Sequence, residues 1–191
     1  MEDVMSMRKT IGALAALALA ATVVPVAQAD VASPALRAPP APRQAEALPY
    51  KNGPVSAVAI FIPDNQVSEF GKPPNETPRV TKIDALKVGE IAALKLMFKG
   101  PQRDSQGRID VTFDVDFIGP DGKTLEGGSL KDLPAYQGPV TLPNAIFDNI
   151  RAVPKMSFEV KDPKGVYKAV IVLHDNIGGW NIPMTVELER L

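Results

Sequence analysis

The only histidine and the only tryptophan of this 191-residue chain fall within one stretch, His174-Asp175-Asn176-Ile177-Gly178-Gly179-Trp180-Asn181. A histidine beside an aspartate can act as a base or a metal ligand, and an exposed tryptophan can stack on a ligand or anchor a partner. A transition-metal site needs several His, Cys or clustered carboxylate ligands, whereas this chain has one His and no Cys. Met97, Met156 and Met184 lie within apolar strand patterns and read as gap fillers rather than copper ligands. A Ser-His-Asp hydrolase would have to use His174, but no G-x-S-x-G occurs and the seven serines are scattered. The third constellation is Asp110, Asp114 and Asp116, whose carboxylates could suit calcium or carboxylate catalysis. Strand residues four apart are separated by about 13 Å and residues two apart by about 7 Å. That is long for a shared ion, so a solvated strand face balanced by lysines is the preferred reading. No metal and no cofactor are expected.

The elements that would hold these residues are strands. Residues 108–118 alternate without a fault, with Ile109, Val111, Phe113, Val115 and Phe117 on one face and Asp110, Thr112, Asp114 and Asp116 on the other. Residues 90–100 place Ala92, Leu94, Leu96 and Phe98 on one face before Gly100-Pro101 ends the run. Further strands are expected at 55–62, 80–85, 156–160, 167–174 and 182–188, separated by Pro- and Gly-rich turns. One short helix is expected at 144–153, capped by Asn144. About seven short strands point to an all-β antiparallel sandwich. A membrane barrel is disfavoured because its aromatic girdles need more than three tyrosines and one tryptophan.

Upstream, Arg8 and Lys9 precede an apolar run at 11–26, and Ala27-Gln28-Ala29 offers a small-residue cleavage site. This predicts a signal peptide over 1–29 cleaved after Ala29, and a periplasmic or secreted bacterial protein with no membrane insertion after cleavage. Residues 30–54 are rich in Ala and Pro and read as a flexible linker. Residues 55–191 make one β-sandwich domain. The net charge is −1, which offers no electrostatic footprint for nucleic acid. Without cysteine the fold must rest on its hydrophobic core alone.

The segment Asp162-Pro163-Lys164-Gly165-Val166-Tyr167 resembles the entry to strand F of immunoglobulin-like domains, where a tyrosine bonds back to nearby backbone. The position two beyond Tyr167, a disulfide cysteine in antibody domains, is Ala169 here. The resemblance implies strands B (90–99), C (108–118), F (167–174) and G (182–189), with Tyr167, Ala169, Ile171 and Leu173 facing the core. Charge matching between strands C and F implies that Asp116 opposes Lys168 and Asp110 opposes His174. The resemblance also brings the loop at 99–108 beside the loop at 174–181, at the end that antibodies use for recognition. Arg103, Asp104, Arg108, His174, Asp175, Asn176, Trp180 and Asn181 would then form a polar surface with one aromatic anchor. The expected function is non-catalytic binding of a protein or cell-envelope partner. The alternatives are a small-ligand or carbohydrate module that stacks on Trp180, and a carboxylate-based enzyme.

Overall fold

The computed structural model describes residues 50–72, 76–142 and 145–191, which belong to one compact unit. The expected signal peptide, most of the expected linker and Asn144 lie outside the described residues. The fold is all-β. The strands are β1 (Tyr50–Asn52), β2 (Val55–Pro63), β3 (Ala85–Leu86), β4 (Ile91–Lys99), β5 (Arg108–Ile118), β6 (Thr124–Pro139), β7 (Phe147–Asp148), β8 (Lys155–Ser157), β9 (Gly165–Asp175) and β10 (Trp180–Arg190). A 3-10 helix, Asp64–Gly71, follows β2. The first sheet runs β1-β2-β4-β7 with β8 also on β4, and the second runs β3-β10-β9-β5-β6. The pairings are antiparallel except for β3 with β10.

The period-two pattern settles which faces meet. Ile109, Val111, Phe113, Val115 and Phe117 of β5 join Tyr167, Ala169, Ile171 and Leu173 of β9 in one buried cluster. From the first sheet, Ala57, Ala59, Phe61, Ala92, Leu94, Leu96 and Phe98 complete it. Each such large side chain contributes about 1.5–3 kcal/mol on burial. The Tyr167 hydroxyl is the polar handle of this core and donates to Pro163 O at 2.9 Å, the local back-bond expected of it. Strand β4 is buried on both faces along its middle, because the 3-10 helix, through Phe70 over Lys95, lies on its outer side and β7 and β8 cover its edge. There Ala93 and Lys95 are fully enclosed.

Several expectations are corrected. No helix forms over 145–153. Ile146 and Ile150, which would share a helix face, are exposed, while Phe147 packs inward against Phe98 and Tyr136, Ala152 packs on the core and Asn149 is buried. Residues 80–84 are not a strand: the side chain of Gln66 in the 3-10 helix takes Thr81 N, and Ile83 N makes an isolated backbone bond to Phe61 O. The strand expected at 156–160 ends at Ser157. Strand β1 lies where linker was expected. Strand β6, the longest, was not anticipated, since Gly127, Gly128, Pro134 and Gly138 interrupt its pattern. Its ladder with β5 absorbs three register shifts, and Asp132 takes φ 52°.

The register of β5 on β9 also differs. Thr112 opposes His174, Asp114 opposes Val172, Asp116 opposes Val170 and Ile118 opposes Lys168. This is two residues from the charge-matched pairing, so every side chain keeps its expected face. The charges are met one strand further out: Lys168 pairs with Glu187 on β10 at 3.1 Å, and Asp116 pairs with Lys131 on β6 at 3.1 Å.

Candidate functional site

The loops at 100–107 and 176–179 do meet, and a third joins them, the β1–β2 turn at Asn52-Gly53-Pro54. Asp175, 2% exposed at the end of β9, ties the first two together. Its Oδ2 accepts Gln102 N at 2.8 Å, and its Oδ1 accepts Gly178 N at 3.1 Å and Ile177 N at 3.3 Å. Three amide donors thus compensate a buried carboxylate. Asn176 N donates to Asp110 O at 3.0 Å and Asn176 Nδ2 to Thr112 Oγ1 at 3.3 Å. Glycines let the loops interlock. A Cβ on Gly53 would stand 2.7 Å from Trp180 Cε2, one on Gly100 would collide with the Pro54 carbonyl oxygen, and one on Gly178 would meet both the Asp175 carboxylate and Trp180 Cδ1. Asn52 Nδ2 adds a bond to Asn181 O at 3.0 Å.

Trp180 therefore rests on Gly53 with 36% of its surface exposed, beside Ile177 at 37%. Arg103, also exposed, donates through Nη2 to Leu142 O at 3.2 Å. Asp104 is spent on its own turn, accepting Gln106 N and Arg108 N at 2.8 Å each. Arg108 is exposed at the start of β5. His174 and Asn181 oppose one another on the outer face of the second sheet, where His174 Nδ1 meets Asn181 Oδ1 at 2.8 Å. His174 Nε2 lies 3.6 Å from Asp114 Oδ2. The eight residues thus divide. Trp180, Arg103 and Arg108 are presented outward, Asp104, Asp175 and Asn176 hold the loops in shape, and His174 and Asn181 belong to the sheet face.

The aspartate stripe is satisfied within the protein. Asp110 accepts Gln137 Nε2 at 2.9 Å, and Asp114 accepts Asp132 N at 2.9 Å. Asp116 accepts Ser129 Oγ and Lys131 Nζ. The Ser129 hydroxyl first, and then Lys131, hold the Asp116 carboxyl below the usual range, while the bond that Lys131 donates to Asp116 raises the pKa of Lys131. A carboxylate held ionised in this way is ill suited to donate a proton as a general acid. Among the described residues no group of three or more His, Cys, Asp or Glu side chains is arranged to hold a metal ion.

Sequence reasoning missed an ionic site on the outer face of the first sheet. Lys95 Nζ, wholly buried, donates to Asp148 Oδ1 at 2.7 Å and lies 4.3 Å from the centre of the Phe70 ring. Burial pushes the Lys95 pKa below its usual value, and the bond that Lys95 donates to Asp148 opposes that shift. The available signal was a lysine centred in an otherwise apolar strand, Ile91–Lys99. Its carboxylate partner comes from a segment that reads as helix.

No family model matches the chain, and no curated protein matches it. Among solved structures, a family 123 glycoside hydrolase from Clostridium perfringens is similar over 72% of this chain, at 12% identity and a TM-score of 0.38. The matched part is 27% of that enzyme's chain. A likeness of this size carries neither activity nor family membership across.

Proposed function

We propose that this protein is an exported, non-catalytic immunoglobulin-like module that binds a protein or cell-envelope partner through its three-loop end. Two antiparallel-dominated sheets over one core and the Tyr167–Pro163 corner support the immunoglobulin-like reading. The observation that carries the binding reading is Trp180: a large aromatic left 36% exposed on loops that Asp175 and three close-packed glycines hold in place. Aromatic side chains on rigid supports lose little entropy on binding and often dominate interfaces. Val166 and Val170, 40% and 38% exposed, are a separate apolar pair on the outer face of the second sheet.

The test is cross-linking in the native cell envelope with the mature chain (30–191) and a Trp180→Ala variant of unchanged thermal midpoint. The reading expects a discrete partner captured by the first and lost by the second. Equal capture by both sinks it. The fixed indole also favours a second reading, a carbohydrate module, which expects a saturable change in Trp180 fluorescence on titration with oligosaccharides. A flat titration removes that reading.

A further inference from the structure

Next to the three-loop end, the outer face of the first sheet carries a row of three residues in lateral register. Lys51 of β1 opposes Ser56 of β2, and Ser56 opposes Lys99 of β4. Neighbouring strands are about 4.8 Å apart, so the two lysines flank the serine on one face at a span their side chains can close. Both lysines are exposed, and neither has a carboxylate partner among the described residues. Ser56, between them, is 7% exposed as a whole residue, and its hydroxyl is not one of the enclosed polar atoms left without a partner among the described residues.

Acidic groups on this face are already neutralised. Asp148, in the adjacent row opposite Met97, is held by Lys95, and Asp64 is held by Lys155 at 2.9 Å. The row of Lys51, Ser56 and Lys99 is thus a positive spot with a hydroxyl donor at its centre. Its two ends lead directly into the loops described above: Lys51 precedes Asn52-Gly53, on which Trp180 rests, and Lys99 precedes Gly100, which packs on Pro54.

We propose that Lys51, Ser56 and Lys99 form an oxyanion site that takes a phosphate group, free or esterified. Two ammonium groups supply the charge and the Ser56 hydroxyl donates one hydrogen bond at the centre. Lysines act on phosphate as point charges, so the flexible span between them is no obstacle. If the three-loop end engages a partner, this site adds that the partner carries phosphate beside the Trp180 contact. The site itself does not depend on that reading.

The test is a nitrogen-15 NMR titration of the full-length chain with inorganic phosphate and with glycerol phosphate, at constant ionic strength maintained with chloride. The expected result is saturable shifts centred on Lys51, Ser56 and Lys99 with at least one probe, weakened about tenfold in a Lys51→Gln/Lys99→Gln double variant and also weakened in Ser56→Ala. The probe that saturates at lower concentration identifies free or esterified phosphate as the better ligand. Shifts that fail to saturate, or that persist unchanged in the double variant, overturn the proposal. Carrying the double variant through the cross-linking experiment separates the two readings. Capture that depends on Trp180 but not on the lysines leaves the binding module standing without the phosphate contact.

Discussion

At the scale of single residues, Tyr167 and Asn149 show where sequence reading succeeds and where it stops. Tyr167 bonds to Pro163, four residues earlier, so its role is written in a contiguous motif. Asn149 does comparable work across the chain. Its Oδ1 accepts Leu96 N at 2.9 Å, and its Nδ2 donates to Leu94 O at 3.0 Å and Ala152 O at 2.9 Å. The amide thereby stands in for a strand peptide in the gap between β7 and β8 on the edge of β4. No local pattern distinguishes that asparagine from Asn144, because its two partners on β4 are more than fifty positions away. Asn149→Ala leaves a buried N–H and a buried C=O of β4 unpaired and is expected to cost about 2–4 kcal/mol. Tyr167→Phe, which loses one half-buried hydroxyl bond, is expected to cost about 1 kcal/mol. Urea denaturation of the two variants checks the order; an Asn149→Ala cost below that of Tyr167→Phe contradicts the bridging role.

Among the elements, those with an unbroken alternation were legible. Strands β5 and β9 each keep one face apolar over their length, and both faces lie where the pattern puts them. Strand β6 was not legible because its glycines, Pro134 and bulges erase the period, and its pairing depends on β5 rather than on its own residues. The loop end was half legible. Its two longer loops follow from strand order, whereas the β1–β2 turn beneath Trp180 lies where composition suggests linker. The Gly178-Gly179 pair illustrates two separate demands within one loop. Gly179 has φ 70° and open space around its Cα, whereas Gly178 is confined by Asp175, Trp180 and Gln102. Gly179→Ala is therefore expected to cost about 1 kcal/mol through the backbone and to leave the tryptophan emission unchanged. Gly178→Ala is expected to displace the indole or open the Asp175 bonds, shifting the emission maximum and lowering the thermal midpoint. Identical spectra for both variants would show that Trp180 is not held through Gly178.

Across the whole molecule, the two sheets treat charge on their outer faces differently. The second sheet leaves its pairs near water, as with Lys131 and Asp116, where each is worth little. The first sheet covers its face with the 3-10 helix, and Lys95 is enclosed between Phe70 of that helix and Asp148 of the neighbouring β7. Such enclosure has a signed consequence for stability. Burial lowers the Lys95 pKa in the fold below its ordinary value of 10.5, so between the two values the unfolded chain binds more protons than the folded one. Stability then rises with pH across that window, by linkage. A Lys95→Met variant lacks this term, and Asp148, 23% exposed, can be hydrated once its partner is gone. The stability of the wild type minus that of the variant is therefore expected to climb with pH as the ordinary lysine value of 10.5 is approached from below. The raised pKa values of Lys131, Lys161 and Tyr167 make their own contributions vanish only at higher pH, and these cancel in the difference because both proteins share them. Urea denaturation at stepped pH measures the difference. If it is flat or falls with pH, Lys95 is solvated in the folded protein and the 3-10 helix does not seal the outer face of the first sheet.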